Sequence, residues 1–470
     1  MGEGHNVEQV AAEIRHPPGY RFRRGQNWFL VGLTYASYYM CRYNIYIVAP
    51  RIMDAFGLNN FQFGIIDTAR NWCYSIGQFV NGLFTDRLGG KQAMLVGAVL
   101  TIILNIAFGT VSLLATSLGT FAILVALATI RGLDGYSQAF GAPGMVKINT
   151  AWFPRAERGR FAGVFGMMIQ FGNIAINSIG PFLLTGLTIP LVFGVVKIPA
   201  HWQNLFFLPP VAVAVITTLM FIFARNHPEE AGYQVQHAAD EDHANDDHDQ
   251  KLPLRVIFKT VASKPMVWVT ACAYFCTGVV RTAVNTWWVV YFDRQWGLDI
   301  ATSTLVVVTG ALLPITAVIG SISSGVISDL LFRGRRAPVA CGLYLLETGV
   351  ILAAALLLSN SAYATPLLAS VMLMLISLTA NSTHSILGTA AAMDLGGRKM
   401  AGFAAGVIDS FQYIGAGLAG IGLGLTLDSM VSKSTLGWSV WFFFMAPFSG
   451  LGTLLMAYVW YATHGRSVRG

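Results

Sequence analysis

The chain has 470 residues, of which 54% are hydrophobic and 11% charged, with a mean hydropathy of +0.58 and a formal net charge of +7. Soluble domains carry about 25% charged residues, and a single core stops growing near ~250–300 residues. An ordinary soluble enzyme is therefore excluded, as is a disordered or collagen-like chain despite the 49 glycines. A polytopic membrane protein remains, in which small residues let helices approach closely.

The first 26 residues are polar and contain no apolar h-region, so they read as a tail without a cleavable signal. A bilayer-crossing helix needs about 20 apolar residues. Windows of that size predict an all-α membrane protein with twelve spans. Six lie near 27–49, 61–83, 92–114, 120–147, 159–186 and 205–224, and six near 266–292, 302–328, 338–359, 364–389, 400–427 and 438–462. The implied organisation is a tail (1–26), a six-helix bundle (27–224), a linker (225–264), a second six-helix bundle (265–462) and a short tail (463–470).

Of the 30 Lys and Arg residues, Arg42, Arg70, Arg131 and Arg281 fall within spans. Only Arg51, Lys197, Arg294 and Lys433 fall on the face away from the termini, and the rest are on the terminal side. That asymmetry predicts cytoplasmic termini, and it disfavours a nucleic-acid patch. The acidic linker, with His237, His243 and His248, reads as a solvated connector rather than a metal site. Cys41, Cys73, Cys272, Cys276 and Cys341 all lie in apolar runs, which argues against a disulfide framework.

The two halves repeat. GLFTDRLGGK at 82–91 follows the second span and GVISDLLFRGRR at 325–336 follows the eighth, so that Asp86 and Asp329 correspond, as do Arg42 and Arg281. Duplicated bundles about a central cavity are the architecture of alternating-access carriers. The first loop resembles the G-x-L-x-D-R-x-G-x-K signature of the major facilitator superfamily. YYMCRYN (38–44), GYSQAFGAP (135–143), WFPRAERG (152–159), SDLLFRGRR (328–336) and AGFAAG (401–406) are similar to the organophosphate:phosphate antiporter family, which includes glycerol-phosphate and hexose-phosphate transporters.

The resemblance implies the major facilitator fold, with two pseudo-symmetric six-helix bundles, and a phosphate held jointly by Arg42 and Arg281. The residue chemistry agrees. An arginine at mid-membrane costs at least ~2.5–3.5 kcal/mol, and its guanidinium fork matches phosphate oxygens bidentately. Tyr38, one turn before Arg42, joins Tyr74, Gln138 and His384 as expected substrate contacts. Gln78, Ile169, Tyr43 and Thr286 replace polar or charged residues usual in the glycerol-phosphate branch.

The spans also hold Asp67, Asp134, Glu347 and Asp409. Asp67–Arg70 and Arg131–Asp134 are spaced as i, i+3 pairs. Asp409 is expected to meet Arg70 across the two halves as a gate or proton-responsive site, with Asp86, Arg87 and Asp329 latching the loops. The expected function is exchange of an organophosphate for inorganic phosphate by a monomer in the inner membrane, with no metal or cofactor. Proton- or sodium-coupled transport of another organic anion, or a sensor that does not transport, are the alternatives. No phosphate-binding nucleotide loop or nucleophile constellation is present to support ATP-driven transport or enzymatic chemistry.

Overall fold

The computed structural model describes residues 17–114, 119–153, 155–191, 194–234, 263–332 and 335–464. Much of the linker, both chain ends and its three histidines lie outside the described residues. The first half comprises α1 (Tyr20–Ile47), α2 (Ala49–Phe56), α3 (Asn60–Leu88), α4 (Gly90–Leu114), α5 (Thr120–Gln138), α6 (Gly141–Trp152), α7 (Arg155–Leu184) and α8 (Asn204–Phe223). The second comprises α9 (Pro265–Trp296), α10 (Thr304–Phe332), α11 (Arg336–Ser359), α12 (Pro366–Ser385), a π-helical turn (Ile386–Ala391), α13 (Ala392–Met430) and α14 (Val440–His464).

Twelve of these described helices are long, and they fall where the apolar windows place spans. Eight are long and apolar enough to cross a membrane by length and composition alone: α4, α8 and all six of the second half. Helices α1, α3 and α5 fall short because Arg42, Asp67, Arg70, Arg131 and Asp134 stand among further tyrosine, asparagine and glutamine residues. The window at 120–147 is broken rather than continuous. Helix α5 ends at Gln138 and α6 begins at Gly141, where Pro143 lacks a backbone donor and suits a first turn. Between α7 and α8, where no span was expected, strands Leu187–Leu191 and Gly194–Ile198 pair as an antiparallel hairpin, Leu187 opposite Ile198.

Across the halves, α3 packs on α13 at backbone contact. A Cβ on Gly64 would lie 2.1 Å from the Gly420 carbonyl oxygen; within the second half, one on Gly278 of α9 would lie 2.0 Å from that of Gln412 on α13. Small residues are required for such an approach. Thr68 Oγ1 donates to the Gly417 carbonyl at 2.6 Å and Ser75 Oγ to that of Ser410 at 3.4 Å, which sets the register of the pair.

The end away from the termini is closed by polar contacts between halves. Arg51 Nη2 lies 3.0 Å from Asp299 Oδ2, and Arg294 pairs with Asp54. At the start of α3, Asn59 and Gln62 form a capping box. Asp428, in the last turn of α13, accepts from the backbone N–H of Asn60 at 3.1 Å and of Phe61 at 2.8 Å.

Candidate functional site

Between the halves lies a narrow cavity lined by Arg42, Arg70 and Arg281 together with Tyr39, Tyr43, Tyr46 and Tyr413. Arg42, on α1, donates from Nε to Gln138 Oε1 of α5 at 2.9 Å. Arg281, on α9, donates from Nε to Asn381 Oδ1 of α12, also at 2.9 Å. Each amide thus holds the inner edge of a guanidinium by one bond and leaves its outer nitrogens toward the cavity. The Nη2 of Arg42 and the Nε of Arg70 are buried without a partner. Among the described residues no carboxylate forms an ion pair with any of the three arginines.

Aromatic rings hold the first arginine in place. Its Cζ stands 4.3 Å from the Tyr39 ring centroid and 4.6 Å from that of Tyr74, both within cation–π range. Tyr74 in turn packs on Tyr413 of the opposite half at 4.4 Å between centroids. Behind Arg42 runs a closed ring of hydrogen bonds. Gln138 Nε2 donates to Asp134 Oδ2 at 2.9 Å, Arg131 Nη1 to the same oxygen at 3.0 Å, and Arg131 Nη2 to the Arg42 carbonyl at 2.6 Å. The Arg131–Asp134 pair is therefore a brace for the α1 backbone at the arginine. Its charges cancel, which lowers the cost of burying them.

The structure places Tyr74 and Gln138 against Arg42, and Arg281 lines the same cavity as Arg42. Tyr38 is placed differently: it is fully buried and its hydroxyl donates to the Met94 carbonyl of α4. The reason is helical phase. Tyr46, Tyr39 and Tyr43 lie roughly 40–100° round α1 on one side of Arg42, and Tyr38 lies ~40° on the other. His384 stacks on Tyr274, its Nδ1 2.6 Å from the tyrosine hydroxyl, and does not line the cavity.

Asp67 and Arg70 do not pair with each other. Asp67 accepts from Tyr46 at 2.6 Å, from Asn71 at 3.1 Å and, across the halves, from Thr286 at 3.1 Å. Arg70 donates to Asn71. Nor does Asp409 meet Arg70. With Ser410 level with Ser75, Asp409 stands about six residues, or ~9 Å, along α3 from Arg70. It lies instead within electrostatic reach of Arg281 and Arg42. Asp86 is exposed and 3.4 Å from Lys147 Nζ, and Arg87 and Asp329 are exposed at helix ends. The five cysteines are free thiols.

Sequence reading missed Asn381 and the Tyr39, Tyr43 and Tyr413 lining. The internal repeat carried the signal for Asn381, since the spacing from Asp86 to Asp329 is also the spacing from Gln138 to Asn381.

A multi-helix protein with a polycationic cavity between two related halves is the layout of a membrane carrier. The chain belongs to the Major Facilitator Superfamily, whose family model matches residues 31–420. It is 27% identical over 446 residues to the membrane sensor protein UhpC of Escherichia coli, covering 93% of this chain and 92% of that one. It is 25% identical to the glycerol-3-phosphate transporter of Bacillus subtilis (94% and 93% covered), and 24% identical to the hexose-6-phosphate:phosphate antiporter of Escherichia coli (88% and 85%). These relatives fit the organophosphate:phosphate antiporter family, and they are multi-pass membrane proteins rather than enzymes.

Among solved structures, a bacterial homologue of the human lysosomal transporter Spinster, inward-facing and unoccupied, matches with a TM-score of 0.67 at 16% identity (94% and 95% covered). A D-xylose–proton symporter matches with 0.67 at 12% identity (94% and 97%). At these identities the likeness is of fold.

Proposed function

We propose that this protein is a secondary transporter that exchanges an organophosphate for inorganic phosphate by rocking its two halves about the central cavity. The observation that carries the reading is the pair Arg42 and Arg281, one from each half, each held by an amide and neither ion-paired among the described residues. Two guanidinium forks present enough donors for a phosphate dianion. Bound by both, the anion draws the halves together, so binding free energy biases one conformation over another.

Asp409 is the carboxylate that competes for the same arginines when the anion is absent. Next to the cationic cavity is a second, smaller one, sharing Tyr43, Tyr46 and Asn285 with it and adding Asn173, Asn177 and Trp288. Amide groups and an aromatic face suit a neutral hydroxylated carbon skeleton, and the carbon part of the substrate belongs there.

The basic asymmetry of the loops supports cytoplasmic termini in a bacterial inner membrane. On that orientation the closed end faces outward. The bundles are 27–224 and 265–462, with 225–264 as the connector, and the working unit is a monomer in the bilayer.

Counterflow of labelled phosphate in proteoliposomes, against a panel of phosphorylated and unphosphorylated anions, tests the reading. Arg42→Lys and Arg281→Lys are expected to abolish flux, because an ammonium cannot reproduce the bidentate fork. Robust counterflow by either variant sinks the proposal. The relation to a membrane sensor favours a second reading, in which the same site detects the organophosphate without moving much of it. Saturable binding with no flux decides for that one.

A further inference from the structure

Glu347 lies in α11 and is fully buried outside the cavity. Both its carboxyl oxygens are enclosed and lack a hydrogen bond of good geometry. Among the described residues no arginine or lysine reaches it. What surrounds it is hydroxyl: the side chains of Ser449 on α14 and Thr383 on α12 face the carboxyl group, and Thr277 on α9 lies behind Thr383.

Those hydroxyls each have another acceptor within reach: the Ala273 carbonyl for Tyr344, that of Ala380 for Thr383, and that of Tyr344 for both Ser449 and Thr348. An ionised carboxylate is acceptor-only and here has no cation, with only the two contested hydroxyls of Ser449 and Thr383 as donors. A neutral carboxylic acid has a proton to give, and the Ser449 and Thr383 oxygens each keep acceptor capacity for it.

We infer that Glu347 is a proton-binding site, occupied in this closed-end arrangement and emptied only when the second-half helices rearrange. The link to the cavity is short. Helix α9 carries Thr277 one turn before Arg281, and α12 carries Thr383 two residues after Asn381, the partner of that arginine. A shift of either helix on anion binding therefore alters the packing at Glu347.

The other titratable groups nearby do not take over the role. Helix α9 presents Cys276 and Tyr274, α11 presents Tyr344, and the His384 ring of α12 is turned to Tyr274. Tyr458 and Tyr461 of α14 and Asp329 of α10 are exposed toward helix ends. The inference does not depend on which anion the cavity carries.

Infrared difference spectra of lipid-reconstituted protein, wild type minus Glu347→Gln, give the direct test. A protonated-carboxyl C=O band is expected at neutral pH, unchanged by added sodium or potassium. Carboxylate bands alone, or an acid band displaced by sodium, overturn the proposal, the latter in favour of a metal-cation site. Glutamine is isosteric with the neutral acid, so Glu347→Gln is expected to keep the wild-type Tm, and failure to fold counts against the proposal. The link to the cavity is read from phosphate affinity across neutral pH. The ratio of wild type to Glu347→Gln is expected to change with pH, by at most about tenfold per unit for one proton. The titration of phosphate itself cancels in that ratio, and a constant ratio overturns the link.

Discussion

In the first half the amide that holds the arginine reaches back one turn to Asp134; in the second, the equivalent amide reaches back one turn to Ser377, Asn381 Nδ2 lying 2.8 Å from the Ser377 carbonyl oxygen. Ser377 stands where the repeat puts the counterpart of Asp134, and Met374 where it puts the counterpart of Arg131. The same pose of the arginine is thus reached by two supports. One is a charged ring that closes on the α1 backbone; the other is a neutral hydrogen bond to the helix itself. A buried ion pair fixes geometry strongly but is intolerant of losing one member, whereas a neutral contact yields cheaply. The first half is accordingly the stiff wall of the cavity and the second the compliant one.

The sharpest way to break this comparison is to give the first half the support of the second. Asp134→Ser alone leaves Arg131 buried and unpaired, and a loss of about 3–5 kcal/mol in stability is expected. Adding Arg131→Met removes the orphaned charge and is expected to restore most of the Tm in detergent. If the single variant is as stable as wild type, the ring is not a brace. Next in size, Gln138→Ala and Asn381→Ala each remove one hydrogen bond to a charged group, worth about 1.5–3 kcal/mol. Phosphate affinity is expected to fall more than tenfold in both. The larger fall is expected for Gln138, because its loss also opens the ring, and equal falls would erase the distinction between the halves.

Smaller effects sharpen it further. Asp409→Asn removes the competing carboxylate and is expected to tighten phosphate half-saturation by about three- to tenfold, or ~0.7–1.4 kcal/mol. Unchanged affinity removes Asp409 from the site. Smallest is Asp428→Asn, which keeps an acceptor for α3 but loses the charge at its N-terminus, at a cost of under ~1 kcal/mol. Distance distributions between spin labels at the start of α3 and the end of α13 are expected to broaden toward separation. A distribution identical to wild type would show that the cap does not hold the end shut.

Much of this was legible from residue order. Scarce charge and apolar windows located the helices, and mid-span Arg42 and Arg281 stood out because a guanidinium there is costly without a purpose. What was not legible depended on quantities set by packing. The phase of α1 decides that Tyr39 and not Tyr38 faces the cavity, and i, i+4 spacing alone does not reveal which side of Arg42 is inward. The register of α3 on α13, set where Gly64 meets Gly420, decides that Asp409 sits by Arg281 rather than by Arg70. Asp67 and Arg70 have pairing distance in sequence, yet Tyr46 and Thr286 arrive from other helices and take the carboxylate. The hairpin at 187–198 escaped because its strands are short and bear no relation to span length.

The contact between Asp428 and the first amides of α3 gives the closed end an unusual character. Those N–H groups are unsatisfied in any isolated helix, so opening does not strip a bond from an otherwise complete structure; it returns a helix end to water. The door is shut by finishing a helix that one half begins and the other half terminates. This contact's share of the cost of opening is that of a helix cap, about 0.5–2 kcal/mol, added to that of the Arg51–Asp299 and Arg294–Asp54 pairs at the same end.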